Sequence, residues 1–256
     1  MKIAAGQFTS VPGDIGANVD SMRGLVRAAA GQGAALVAFC ELAVTGYDLD
    51  LIAGRPELWL SEDDRRLEPL REACRTTSTA ALVGCAARTS GPRPTIAALV
   101  IGPDGELLAR YDKTHLYGEE NDVFTAGTRD GRFTLDGVRF AVAVCYDNRF
   151  PDVAERAKAD GCQVYVASSV LDEHNDSFER VYPVRARDNA LPVLLANAMG
   201  PSGVGDCLGG SAVWGPDGAL LATAGTKAPA LAVARIPAGR IAAGPDRAAS
   251  AHSPGG

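Results

Sequence analysis

FAVAVCYDNRFPDVAERAKA, residues 140–159, changes pattern twice within twenty positions. Phe140–Val144 is an apolar run of strand length. The residues after it are polar and turn-forming. Pro151 then stands where the first turn of a helix tolerates proline, and the helical pattern ends near Lys158. A strand, a sharp turn and a helix form the building unit of an α/β fold. The unit puts Cys145 at an exposed strand end near helix N–H groups, a setting expected to lower a thiol pKa and present the thiolate. The other reading of Cys145 is a buried structural cysteine, the usual fate of a cysteine at the end of an apolar run.

Outward from this unit, apolar runs of strand length recur: Ile3–Phe8, Ala35–Phe39, Ala80–Cys85, Ile96–Ile101, Leu107–Tyr111, Val164–Ala167, Val193–Ala196, Ser211–Trp214 and Leu231–Ala234. Helical patterns lie between some of them, over Asn18–Ala30, Ser61–Thr77 and Phe178–Asn189. Ser61 and the acidic residues after it form a candidate N-cap. Two stretches echo each other, IGPDGELLA (101–109) and WGPDGALLA (214–222). Pro-Asp-Gly between apolar runs makes a turn, because proline pre-sets φ, aspartate bonds locally and glycine takes positive φ. Each echo predicts a hairpin, so the sheets are expected to be mixed. Two similar hairpins in the two halves suggest a pseudo-symmetric pair of sheets packed face to face; a common turn arising twice is the alternative. No linker interrupts residues 1–235. The whole chain, 1–256, reads as a single domain, with 236–256 a tail or an arm on a partner subunit.

Composition narrows the function classes. The 256 residues are 46% hydrophobic and 22% charged, which marks a globular chain with a large core. The net charge is −6 and no block of Lys/Arg occurs, so nucleic acid and anionic membrane are not expected partners. No apolar run approaches the length of a membrane span. MKIAAGQF reads as a strand rather than a signal peptide, and the six cysteines read as reduced thiols of a cytoplasmic protein. No CxxC occurs, and the histidines are His115, His174 and His252, so zinc-finger and HExxH readings fail. Lysine is rare, at positions 2, 113, 158 and 227 only, which draws attention to its setting.

A thiol nucleophile needs a proton acceptor. His115 is the histidine best placed for it, but other groups sit at strand ends. Glu41 follows the run Ala35–Phe39, where a carboxylate is costly unless paired or functional. Lys113 closes another strand and suits both neutralising that carboxylate and holding an oxyanion. Glu41, Lys113 and Cys145 thus stand at three strand ends, in FCELAVTGYD (39–48), YDKTHLYGEENDVFTAG (111–127) and VAVCYDNRFPD (142–152). In this order and spacing they resemble the nitrilase superfamily of carbon–nitrogen hydrolases. VRARDNALPVLLANAMG (184–200) and LGGSAVWGPDG (208–218) extend the resemblance over essentially residues 1–235.

The resemblance implies a four-layer α-β-β-α sandwich with two mixed sheets, no cofactor, and a homodimer or larger homo-oligomer. It implies a Glu41-Lys113-Cys145 triad, with a second glutamate four residues before an aromatic. Glu120 stands four before Phe124 and takes that role, with Glu119 as the alternative. The backbone N–H of Tyr146 would join Lys113 in the oxyanion site. Cys145 is followed by Tyr146 and Asp147 rather than Trp-Glu, which resembles the amidase branches, including ω-amidase-like members. The expected reaction is hydrolysis of a small-molecule amide through a thioester. N-carbamoyl amine hydrolysis, nitrile hydrolysis and a catalytically silent scaffold are the alternatives. Tyr47, Tyr117, Ser168 and Ser169 are candidate pocket residues, each equally explained by packing or strand termination. Arg149 suits either a substrate carboxylate or an ion pair with Asp152 or Glu155. Asp172-Glu173-His174 offers a DxH of the kind found in metal-assisted cysteine hydrolases, and also reads as a surface loop.

Overall fold

The computed structural model of the chain describes residues 1–128 and 130–237. In chain order the strands are β1 (Lys2–Gln7), β2 (Leu36–Ala38), β3 (Ala80–Ala87), β4 (Thr95–Ile101), β5 (Leu107–Asp112), β6 (Gly131–Leu135), β7 (Val138–Val144), β8 (Val164–Ser169), β9 (Val193–Asn197), β10 (Met199–Ser202), β11 (Gly205–Leu208), β12 (Ala212–Trp214), β13 (Leu220–Thr223) and β14 (Ala230–Arg235). The α-helices are α1 (Ile15–Gly31), α2 (Leu49–Gly54), α3 (Glu68–Thr77), α4 (Glu120–Val123), α5 (Pro151–Ala159), α6 (Ser177–Arg180) and α7 (Tyr182–Asn189).

Two six-stranded sheets carry the fold, ordered β14-β1-β2-β3-β4-β5 and β13-β12-β9-β8-β7-β6. Each has the same plan. Three parallel strands, β1-β2-β3 or β7-β8-β9, are flanked by one antiparallel strand on one side and an antiparallel hairpin on the other. The hairpins are the two Pro-Asp-Gly echoes. Gly105 and Gly218 take φ of 81° and 80°. Asp104 accepts from the Glu106 N–H and Asp217 from the Ala219 N–H, both at 3.0 Å. The pseudo-symmetric reading therefore holds down to single hydrogen bonds.

Residue alternation makes the layers. In β7, Phe140, Val142 and Val144 face the other sheet, while Ala141 and Ala143 face outward. The inward set joins Ile3, Leu36, Leu82, Ile96, Val166 and Leu194 in a core between the sheets. The outer face of the first sheet packs on α1 and α3, that of the second on α5 and α7. The result is the expected α-β-β-α sandwich. Much of the tail assigned to 236–256 lies outside the described residues; Ile236 is buried and its N–H donates to the Met1 carbonyl at 3.0 Å.

Some expected elements shift. The helix expected from Ser61 begins at Glu68, because the Ser61 hydroxyl donates to Asp63 instead of capping a helix and a 3-10 turn, Arg65–Leu67, intervenes. The 178–189 helix splits at Val181: Pro183 lacks the N–H needed to continue the first piece. Strands β6, β10 and β11 were not anticipated. The last two, MGPS and GDCL, contain no apolar run.

Candidate active site

The three strand ends meet. Glu41 follows β2 in a tight turn where Leu42 has φ +51°. The turn lies directly on Gly84 of β3: a Cβ there would stand 2.4 Å from the Cys40 carbonyl and 2.6 Å from the Leu42 nitrogen, so glycine is required. Lys113 follows β5, its N–H donating to Ile96 and its carbonyl accepting from Gly127, both at 2.8 Å. Cys145 directly follows β7 with φ +46°, a strained left-handed conformation that costs about 1–3 kcal/mol and turns the thiol out of the strand direction. The strain is sustained by Asp147. Its buried carboxylate accepts from the Val144 N–H at 3.0 Å, the Tyr111 hydroxyl at 2.7 Å, the Thr114 hydroxyl at 2.9 Å and the His115 N–H at 2.9 Å. Asp147 therefore ties the nucleophile turn to the segment carrying Lys113. His115 also meets Asp147 through Nδ1 at 2.8 Å and stacks on Phe150, which removes it from consideration as the thiol's base. Arg185 of α7 braces the turn from outside, donating to the carbonyls of Asn148 and Arg149.

Lys113 is fully buried and donates to Glu41 Oε1 at 2.8 Å and to Glu120 Oε1 and Oε2 at 2.8 and 2.7 Å. Glu120 also accepts from the Tyr47 hydroxyl at 2.7 Å and the Tyr117 N–H at 2.8 Å. Both of its oxygens are thus occupied. Glu41 differs: Oε2 is buried and carries no hydrogen bond. Of the two carboxylates, only Glu41 has a free oxygen with which to take a proton. Glu119 is exposed, so the buried second glutamate is Glu120.

Burial raises the Glu41 pKa from its ordinary 4.5 to about 7; Lys113 opposes the rise and Glu120 adds to it. Burial pulls the Lys113 ammonium down, but Glu41, Cys145 and Glu120 outweigh it and raise its pKa. The expectation of a lowered Cys145 pKa is overturned. Burial pushes the thiol well above its ordinary value, Glu41 pushes the same way, and Lys113 only partly offsets them. Cys145 is thus held as a neutral thiol, donating to the Val170 carbonyl at 3.6 Å. For this thiol to act as a nucleophile, a neighbour would have to take its proton.

A cavity of about 400 Å³ opens on the thiol, lined by Tyr47, Tyr117, Glu120, Cys145, Tyr146 and Val170, among others. Tyr47 is held by its hydroxyl; Tyr117 is 57% exposed and its ring tilts against Tyr146 at 5.0 Å. Ser168 and Ser169 do not belong there. Both are fully buried ties, Ser168 donating to the Phe39 carbonyl at 2.9 Å and Ser169 bonding the Tyr182 hydroxyl at 2.9 Å. Arg149 lines the cavity and pairs with Asp176 at 2.8 Å, whereas Asp152 pairs with Arg156. In the Asp172–His174 stretch, His174 projects into solvent at 85% exposure, and no group of three candidate metal ligands occurs among the described residues. A larger groove of about 630 Å³ between α1 and β14 contains none of these groups.

Asp147 and Arg185 were not singled out by the sequence reading. The signal for Asp147 was its place two residues after the nucleophile, in a turn whose strain needs an anchor.

The carbon-nitrogen hydrolase family model matches residues 2–246. Omega-amidase NIT2 of Homo sapiens is 28% identical over 233 residues, covering 86% of this chain and 82% of that protein. The 2-oxoglutaramate amidase of Bacillus subtilis (strain 168) is 28% identical over 189 residues, covering 72% and 71%. A double mutant of the amidase from Nesterenkonia sp. AN1, solved in complex with acrylamide, superposes with a TM-score of 0.85 at 30% identity, covering 93% of this chain and 91% of that one. Sequence and architecture agree: this chain belongs to the carbon-nitrogen hydrolase family, in the amidase branch of the nitrilase superfamily.

Proposed function

We propose that this amidase hydrolyses short, uncharged aliphatic amides to carboxylate and ammonia, with Cys145 as nucleophile, Glu41 as proton carrier, Lys113 as oxyanion donor and Glu120 as the group that positions Lys113. The observation that carries this reading is the asymmetry of the two glutamates. Glu120 is saturated by donors, whereas Glu41 keeps one oxygen free close to the thiol. Glu41 Oε2 takes the thiol proton as sulfur attacks the amide carbon. The carbonyl oxygen gains charge, held by Lys113 and by the N–H of Tyr146, which lies at the start of a helical turn where N–H groups lack intrahelical partners. Glu41 gives its proton to the leaving nitrogen, ammonia departs and a thioester remains. Water then attacks the thioester with Glu41 again accepting a proton.

Features of the cavity support this substrate class. Arg149 is engaged by Asp176, so the carboxylate of an ω-amide would compete with an existing ion pair. Related amidase structures carry butyramide or the acetamide moiety of fluoroacetamide, in line with a small neutral substrate. An ammonia-release screen over aliphatic amides, dicarboxylate monoamides, carbamoyl amines and nitriles tests this. Turnover is expected to be highest with butyramide-sized neutral amides and absent in Cys145→Ala. Preference for carbamoyl amines or nitriles would replace the substrate assignment; turnover of none would revive the silent scaffold.

Solution state belongs to the same reading. The chain is taken as a cytoplasmic homodimer or larger homo-oligomer, and light scattering should report at least twice the 26.5 kDa chain mass. No helix among the described residues is long and apolar enough to cross a membrane.

A further inference from the structure

On the reaction proposed above, the amide group is taken up by Cys145, Lys113 and the Tyr146 N–H. The hydrocarbon tail is left to the apolar part of the cavity wall. Val170, Leu171 and Val204 are aliphatic side chains of that wall, and they are held differently. Val170 and Leu171 follow β8 and are buried. The Val170 carbonyl accepts from the Cys145 thiol at 3.6 Å, and the Leu171 N–H donates to the Asn197 side chain at 2.9 Å. Both belong to the frame around the thiol. Val204 belongs to neither six-stranded sheet. It stands at the tip of the separate β10–β11 hairpin, half-buried, and packs against the core between the sheets.

The hairpin is seated on two sides. The Gly203 N–H donates to the Tyr47 carbonyl at 2.7 Å, and a Cβ at 203 would stand 2.9 Å from that oxygen, so glycine lets the tip come this close. The Asp206 carbonyl accepts from the Glu173 N–H at 3.0 Å, which ties the hairpin to the segment just beyond Leu171. Within the tip, the Ser202 hydroxyl donates to the Gly205 carbonyl at 2.9 Å and accepts from the Val204 N–H at 3.3 Å. These bonds fix the backbone that presents Val204. Its branched side chain is stiff about its one torsion, so the wall it makes yields little.

We propose that Val204 is the specificity-determining residue for acyl-chain length, its two methyl groups closing the apolar side of the cavity and setting how long a tail fits. The proposal rests on the amidase reading above. It also gives the hairpin a purpose: a tip outside both sheets shapes the wall while the triad and the core strands stay untouched.

The test is a series of straight-chain amides from acetamide to octanamide, assayed with the native enzyme, Val204→Ala and Val204→Phe. Val204→Ala should raise kcat/KM for hexanamide relative to butyramide by at least about tenfold, and Val204→Phe should lower it for butyramide relative to acetamide by about the same factor. Opposite shifts from a smaller and a larger side chain mark a limit of size. If the phenylalanine variant does not fold in a thermal scan, Val204→Leu takes its place and should shift the profile the same way. A length profile unchanged in either variant would overturn the proposal, as would shifts of both in one direction. So would a fall by one common factor at every length, since the hairpin would then merely support Tyr47 and, through it, Glu120. Failure of the amidase reading looks different, because the native enzyme would then hydrolyse no amide of the series.

Discussion

Lys113 stands between two buried carboxylates, and its removal should show in two ways. Lys113→Met leaves Glu41 and Glu120 buried side by side without a counter-charge. Stability should fall by about 3–5 kcal/mol in urea unfolding. Turnover should fall by at least about 100-fold through loss of an oxyanion donor. Glu41 sets the pH dependence. Its folded pKa of about 7 lies above the ordinary 4.5, so the native state holds the proton more tightly than the unfolded chain. Stability from this group is full at pH below 4.5 and declines as pH rises through about 7. On the proposed mechanism activity moves oppositely, because only ionised Glu41 can accept the thiol proton; kcat/KM should climb toward an inflection near pH 7. Glu120→Gln removes a like charge from beside Glu41 and should move that acid limb to lower pH, at reduced kcat. A limb that stays in place would show that another group titrates.

At the level of elements, the nucleophile turn was legible because its parts alternate so abruptly: apolar β7, polar turn, then Pro151 opening α5. The two Pro-Asp-Gly hairpins were legible for the same reason, since proline, aspartate and glycine each act locally. What escaped is non-local. Asp147 gathers donors from a segment more than thirty positions away, and no local pattern predicts that. The thiol pKa was misjudged because helix N–H groups were weighed and desolvation beside a carboxylate was not. Ser168 and Ser169 end an apolar strand as pocket residues do, yet β8 points them at Phe39 and Tyr182. Ser169→Ala should therefore cost about 1 kcal/mol of stability through a lost buried hydrogen bond, with KM unchanged. A raised KM without loss of stability would return Ser169 to the pocket. Strands β10 and β11 are polar and glycine-containing, so hydrophobic patterning had nothing to register.

Across the whole molecule, the two sheets share one plan and divide the chemistry between them. The first sheet supplies Glu41 and Lys113 from β2 and β5; the second supplies Cys145 from β7. The core between the sheets is therefore what holds the proposed reacting groups together, and no half of the sandwich has all three. Denaturant should abolish activity and near-UV dichroism at one common midpoint. Loss of activity well before the tertiary signal would indicate that the site opens independently of the sandwich.

The central claim is that Cys145 becomes acylated during turnover. The most direct measurement is the intact mass of enzyme mixed with butyramide and acid-quenched within the first turnovers, followed by peptide mapping. One butyryl group on Cys145 is predicted, absent in Cys145→Ala and cleared once substrate is exhausted. Ammonia release with no adduct at any time, or an adduct on one of the other five cysteines, would contradict it.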